Sequence, residues 1–299
     1  MHVLLTGGTG FVGQALCPAL LARGWRVSVL SRDRARVTQR LPAGVHGVEN
    51  LDELAAGPAL DGVVNLAGEN LGEGRWTAAR KQRFLDSRVQ GTRALVAFLA
   101  AQNPRPRVLV SASAIGWYGP RGDTPLGEDA APGSGFQSEL CRAWETEARA
   151  AEALGMRVCR ARIGVVLDAG GGALARMLPP FRLGLGGPVG DGRQWMSWIH
   201  RADLVALLIW LLEQDQARGA YNATAPAPLR NAAFAQALGR ALRRPARLPM
   251  PGFAMRLLLG EMADLLLTGQ RVLPVRALAQ GFVFTYPDAD TALRQILKR

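Results

Sequence analysis

The sequence predicts an α/β fold: a doubly wound parallel sheet with a smaller, mostly helical C-terminal region. Three observations carry this. The chain opens on an apolar strand that runs straight into a glycine-rich turn and a helix. Through the first half, strand patterns alternate with helix patterns, the mark of parallel strands joined by helical crossovers. From about residue 249 onward the pattern is mostly helical.

Residues 2–6 read as the first buried strand. The stretch Thr6-Gly-Gly-Thr-Gly-Phe-Val-Gly13 follows, with Gly7, Gly10 and Gly13 in a G-x-x-G-x-x-G spacing. Gly7 lets the chain leave the strand in a tight turn. Gly10 lets a pyrophosphate approach the backbone, and Gly13 lets the next helix pack close to the strand. That helix, 11–23, offers free N–H groups and a positive dipole end to phosphates. The motif therefore predicts a Rossmann-type nucleotide site, with Thr9, Phe11 and Val12 in the same turn.

The later elements follow in order. Residues 26–31 form the second strand, and 32–60 are less regular, with a short strand near 45–48. A strand at 61–66 leads to a long helix at 77–101, stopped before Asn103-Pro104. Strand 107–113, helix 137–154 and strand 156–163 complete the alternation. Residues 168–193 are rich in Gly and Pro and read as a functional loop or lid. A helix at 203–212 has Asp203 as its N-cap, and one at 231–242 has Asn231. Residues 220–224 read as a short strand and 281–286 as a late extended piece.

Composition narrows the class. A chain of 299 residues with 48% hydrophobic content can bury a large core. Its N-terminal apolar run is short and belongs to the glycine motif, so no signal peptide or membrane span is expected. Cys17, Cys141 and Cys159 have no metal spacing and read as reduced thiols in a cytoplasm; no metal site is expected. The net charge of +12 comes almost wholly from arginine, since Lys81 and Lys298 are the only lysines. The arginines are scattered along the chain. The expected partner is a small-molecule substrate, with neither nucleic acid nor membrane, and the oligomeric state is open.

Cofactor choice is read at the end of the second strand. A carboxylate there would hold the ribose hydroxyls of NAD; this chain has Ser31-Arg32. A guanidinium cannot accept from the 2′-hydroxyl, but its fork holds a 2′-phosphate, which favours NADP. The alternative is a solvated surface arginine with Asp33 beside it. Asn65-Leu66-Ala67-Gly68 forms the next edge of the crevice, where small residues let the backbone pass the cofactor.

These motifs, with Gly91-Thr92, Ser111-Ala-Ser113 and Trp198-Ile-His-Arg-Ala-Asp203, resemble the extended short-chain dehydrogenases/reductases. Gly68-Glu-Asn70, Arg75-Trp76, Leu140-Cys-Arg-Ala-Trp-Glu145 and Met177-Leu-Pro-Pro-Phe-Arg-Leu-Gly-Leu-Gly-Gly-Pro188 narrow the resemblance to an atypical NADP-binding "epimerase family protein" group. The resemblance covers essentially the whole chain. It implies a Rossmann domain over 1–165, completed in space by about 198–225. A substrate-covering loop and C-terminal domain would span 166–299, with about 249–297 the group's C-terminal extension. It also implies NADP as cofactor but no settled reaction; the function expected here is an NADP-dependent oxidoreductase or a nucleotide-sugar-epimerase-like enzyme on a small polar metabolite. The other reading is a non-catalytic NADPH-binding regulator.

One departure matters. Members of the wider superfamily use a Tyr with a Lys four residues on as acid/base pair. Four residues beyond Tyr118, Tyr221 and Tyr286 lie Gly122, Ala225 and Asp290, and the corresponding helix positions are Gln137 and Cys141. Ser113 matches the Ser/Thr that bonds the reacting oxygen in relatives, or else bonds its own backbone. Tyr118 is a substitute acid or a packed loop residue. Arg88 falls where extended members place a cofactor-side Asn, and could reach the cofactor phosphates with Arg83 from the same helix; the alternative is a solvated helix face. Arg162, at a strand's C-terminal end, points to the crevice or pairs with a neighbouring loop. The expected cofactor set is thus Gly7, Thr9, Gly10, Phe11, Val12, Gly13, Ser31, Arg32, Leu66, Ala67, Gly68, Glu69, Arg83, Arg88, Ser111 and Arg162. Ser113 and Tyr118 are the catalytic candidates.

Overall fold

The apolar runs of the first half stack side by side as one parallel sheet. The computed structural model describes residues 1–55 and 57–298. Its elements are β1 (His2–Thr6), α1 (Gly13–Leu21), β2 (Arg26–Leu30), α2 (Arg34–Arg40), β3 (Val45–Val48), β4 (Gly62–Asn65), α3 (Ala78–Ala101), β5 (Val108–Ala114), β6 (Pro125–Leu126), α4 (Phe136–Arg149), β7 (Arg157–Ile163) and β8 (Val165–Asp168). There follow α5 (Gly172–Arg182), β9 (Trp195–Met196), β10 (Trp198–His200), α6 (Arg201–Glu213), β11 (Gly219–Ala223), β12 (Leu229–Arg230), α7 (Asn231–Leu242), α8 (Gly252–Leu259), α9 (Asp264–Leu267), β13 (Arg271–Val272), α10 (Val275–Ala279) and α11 (Ala289–Ile296).

Seven strands form the main sheet in the order β3-β2-β1-β4-β5-β7-β11, every neighbour parallel. The order reverses direction between β1 and β4. In such sheets that switch point opens a crevice beyond the carboxyl ends of the strands.

Side-chain alternation assigns the layers. Val3 and Leu5 face Leu16 and Leu20 of α1 and Leu204 and Leu208 of α6. Leu4, between them, faces Leu95 and Leu99 of α3. Each fully buried leucine contributes roughly 1.5–3 kcal/mol, so both faces are sealed by helices. A second core joins Leu174, Leu178 and Phe181 of α5 to Phe234 and Leu238 of α7 and Leu293 of α11. Among the described residues, no helix is long and apolar enough to cross a membrane.

Three local expectations are corrected. The 168–193 segment is not all loop: Leu174, Leu178 and Phe181 recur at helical spacing, and α5 forms to bury them. Asp203 is not the cap of α6. His200 is, its Nδ1 accepting from the Ala202 N–H at 3.0 Å. Nδ1 as acceptor leaves the proton on Nε2, which meets Gln295 Oε1 at 2.9 Å. Burial holds the ring below the usual histidine pKa. The Asp203 carboxylate, one turn in, accepts instead from the N–H groups of Thr285 and Tyr286 at 3.0 and 2.9 Å. It thereby ties the late extended segment to α6. Asn231 is the first residue of α7, not its cap, and its Oδ1 accepts from the Val189 N–H at 2.8 Å.

Candidate functional site

The switch point is built from the ends of β1, β2 and β4. Gly7 takes φ 69°, and a Cβ there would lie 2.7 Å from the carbonyl carbon of Leu66. The loops leaving β1 and β4 therefore meet backbone to backbone, Leu66 and Ala67 against the turn. A Cβ on Gly13 would lie 2.3 Å from the Gly8 carbonyl oxygen, so α1 begins against the turn itself. Gly10 differs. A Cβ there would meet only the Gly7 carbonyl oxygen, at 3.1 Å, which leaves its other side open.

No side chain caps α1. Among the described residues, the N–H groups of Phe11, Val12 and Gly13 have no hydrogen-bond partner. Three free donors and a positive helix end stand at the crevice, which is an anion site in its simplest form. The Thr9 carbonyl is used by Gln14 Nε2 at 2.9 Å. The Phe11 ring packs on Gly171 and Gly172, with the Arg201 guanidinium 5.1 Å above it. Arg201 in turn pairs with Asp168 at 3.0 Å. Phe11 thus fastens the start of α5 to the glycine turn.

At the end of β2, Leu30 lies in register with Thr6. Ser31 Oγ donates to the Asp33 carbonyl at 2.8 Å. The Asp33 carboxylate caps α2, accepting from the Ala35 N–H at 2.9 Å, and lies 3.7 Å from Arg36. Asp33 is therefore committed to its own helix. Arg32 is exposed and has no partner among the described residues.

Beyond β4, the 66–69 loop rests on α3. A Cβ on Gly68 would come 2.8 Å from Arg88 Cζ. Arg88 is buried, donates to the Glu69 carbonyl at 3.0 Å and lies over Trp144 at 5.2 Å. Burial lowers its pKa from the usual arginine value. The Glu69 carboxylate lies 3.4 Å from Arg83 and 3.6 Å from Arg80. Arg83 and Glu69 are thus each other's partners, and Arg88 shapes the loop from below.

Beneath the crevice lies a chain of buried hydroxyls. Thr6 Oγ1 donates to Asn65 Oδ1 at 2.6 Å, and Asn65 Nδ2 donates to Thr92 Oγ1 at 2.9 Å and Ser111 Oγ at 3.2 Å. Ser111, expected at the cofactor, has no exposed surface and belongs to this layer.

A second network centres on Glu145. Its carboxylate, 2% exposed, accepts from Ser113 Oγ at 2.8 Å and from Arg162 Nε and Nη2 at 2.8 and 3.1 Å. Arg162 also donates to Tyr118 Oη and the Glu128 carbonyl, both at 3.0 Å. Burial works against the Arg162 charge, but the hydrogen bonds and charge of Glu145 outweigh it and raise the pKa. Tyr118, fully buried, donates to Asn222 Oδ1 at 2.6 Å; burial raises its pKa, with Arg162 opposing.

The structure therefore brings Ser113, Tyr118 and Arg162 together around Glu145, all three side chains buried. Arg162 is thus paired, but with Glu145 of helix α4 rather than with a neighbouring loop, and Tyr118 is packed and buried rather than exposed to the crevice. Glu145 and Asn222 were missed as organisers of this network. The signal for Glu145 was available: a carboxylate in the stripe Leu140, Cys141, Trp144, Ala148 that α4 buries.

Gln137 lies against Gly116, while Cys141 Sγ lies 3.6 Å from the Ala114 carbonyl. Burial pushes the Cys141 and Cys159 thiols up to about 11 and Cys17 up to about 12. A thiolate is the reactive form, so none of the three is a nucleophile near neutral pH. Native protein held at pH 8 with iodoacetamide is expected to show no alkylation by intact mass, and full alkylation after unfolding. Labelling of Cys141 in the native protein would contradict this.

Residues 3–224 match the NAD dependent epimerase/dehydratase family. The chain belongs to that family. Residues 250–296 match a second description, a domain of unknown function (DUF1731). The chain is similar to the Arabidopsis thaliana epimerase family protein SDR39U1 homolog, chloroplastic, at 41% identity over all of this chain and 87% of that protein. Epimerase family protein YfhF of Bacillus subtilis is 39% identical over 99% of this chain and 98% of its own. Among solved structures, human epimerase family protein SDR39U1 (isoform 2) with NADPH superposes at a TM-score of 0.89, with 38% identity, covering 100% of this chain and 99% of that one.

Proposed function

We propose that the chain is an NADP(H)-dependent oxidoreductase or epimerase-like enzyme for a small polar metabolite. Residues 1–165 would hold the cofactor and 166–299 cover the substrate. The observation that carries this reading is the three backbone N–H groups after β1 and the Arg32 guanidinium after β2, none with a partner among the described residues, on neighbouring strands whose ends Thr6 and Leu30 are in register. The first suits a pyrophosphate, the second a 2′-phosphate. The human relative of similar fold holds NADPH. When bound, the nicotinamide supplies the hydride chemistry. This chain's residues orient it: the Gly7–Gly13 turn receives the phosphates, and Leu66–Glu69, held by Arg88, forms the opposite edge.

Ser113 is the group we assign beside the reacting centre. Its hydroxyl proton goes to Glu145, so its oxygen is left to accept. Tyr118 holds Arg162 and Asn222 and acts as a positioning residue. A second reading, an NADPH-binding regulator without turnover, has its own support: no Tyr has a Lys four residues on, and the hydroxyls of Ser113 and Tyr118 are both committed to buried partners.

The test uses NADPH deuterated at C4, loaded on the protein and incubated with a small-metabolite extract. Deuterium in one metabolite by mass spectrometry is the expected outcome and defines the substrate class. Complete retention of label on confirmed bound NADPH would favour the regulator.

A further inference from the structure

Folding gathers arginines that the sequence scatters. Arg182 ends α5; Arg243 and Arg244 follow α7, with Arg247 just beyond. Two adjoining hollows lie between them, one lined by Arg182, Leu242, Arg243 and Arg244, the other reaching Arg247. Neither lining contains a carboxylate. Arg182, Arg243, Arg244 and Arg247 form no ion pair among the described residues, whereas Arg240 beside them pairs with Asp290 at 2.8 Å. Arg243 takes φ 55°, a left-handed conformation that glycine adopts at lower cost. A concentration of unpaired guanidiniums repels itself until an anion neutralises it.

The flank of the hollows is apolar. Residues 183–187 and 244–248 run side by side: the Leu248 N–H donates to the Gly186 carbonyl at 3.2 Å, and a Cβ on Gly184 would lie 3.5 Å from Pro245 Cγ. Together they expose Leu183 (74%), Leu185 (58%) and Leu248 (53%). A small soluble anion would use none of these leucines. A nucleic acid would favour aromatic side chains for stacking, and none lines the hollows. Phosphate-seeking arginines ringed by exposed leucines suit one surface, where headgroups and acyl chains lie within a side chain's length of each other.

We infer that this face docks on an anionic phospholipid surface, the arginines taking phosphate headgroups and the three leucines entering the acyl boundary. This departs from the expectation of no membrane partner, and it needs no spanning helix: among the described residues no helix is long and apolar enough to cross a membrane.

Vesicle flotation tests this with the full chain and two compositions, phosphatidylcholine alone and phosphatidylcholine with phosphatidylglycerol. The expected result is binding to the second only. The R243G/R244Q variant relieves the left-handed arginine, so its fold is retained, and it should bind about 30-fold more weakly, two surface charges having gone. An L183S/L248S variant should lose the binding that survives in high salt. Three results would overturn the assignment: equal binding to both vesicles, binding undiminished by R243G/R244Q, or no vesicle binding while inorganic pyrophosphate still raises the thermal midpoint in an R243-dependent way.

Discussion

Replacing Arg32 by Ala is expected to weaken NADPH binding by about 10- to 100-fold while leaving NADH binding nearly unchanged. The magnitude is that of one charge-assisted contact, roughly 1.5–3 kcal/mol. The direction follows from the neighbours. Asp33, the residue that could have received the 2′-hydroxyl of NAD, spends its carboxylate on the first turn of α2. Arg32 is exposed and makes no side-chain hydrogen bond or ion pair among the described residues, so its removal breaks none of these and should leave the fold as it was. Arg32→Ala then isolates the 2′-phosphate. Fluorescence titration with both cofactors measures the ratio, and an unchanged NADPH/NADH ratio would sink the assignment. Arg32→Lys should recover part of the affinity, since an ammonium keeps the charge but not the fork.

The sequence was most legible where backbone geometry alone dictates residue type. Gly7 and Gly13 have no room for a Cβ, and a strand-glycine-helix succession has few other meanings. Alternating apolar runs disclosed the sheet because β1 buries both faces and its strands pair in parallel. Legibility fell where long-range partners decide. Asp203 looks like a cap from its neighbours in sequence, but its partners are Thr285 and Tyr286, more than eighty residues on. Arg162 and Ser113 stand at strand ends, as ligand-binding groups do. Only the fold shows that Glu145 draws both inward. The gathering of Arg182 with Arg243 and Arg244 is likewise set by the packing of α5 on α7.

Glu145 is a buried, paired carboxylate, and its removal has a distinctive signature. Glu145→Ala would strand the Arg162 guanidinium, 3% exposed, without its counter-charge. Breaking one partner of a buried pair costs about 3–5 kcal/mol. A chain of this size loses several degrees of thermal midpoint per step of that kind, at roughly 2–4 °C per kcal/mol. Replacing both partners by apolar groups of similar volume, Glu145→Leu with Arg162→Met, removes the Arg162 charge and should recover part of the loss, the remainder falling on Arg160, which lies 3.5 Å from the same carboxylate and loses its partner too. If the pair serves only stability, the double variant should retain activity. If it also positions Ser113, whose hydroxyl donates to Glu145 at 2.8 Å, that part of the stability returns but turnover does not. Thermal midpoints together with the deuterium assay separate these outcomes. A single Glu145→Ala variant as stable as the parent would show that the ion pair is not what holds β7 against α4.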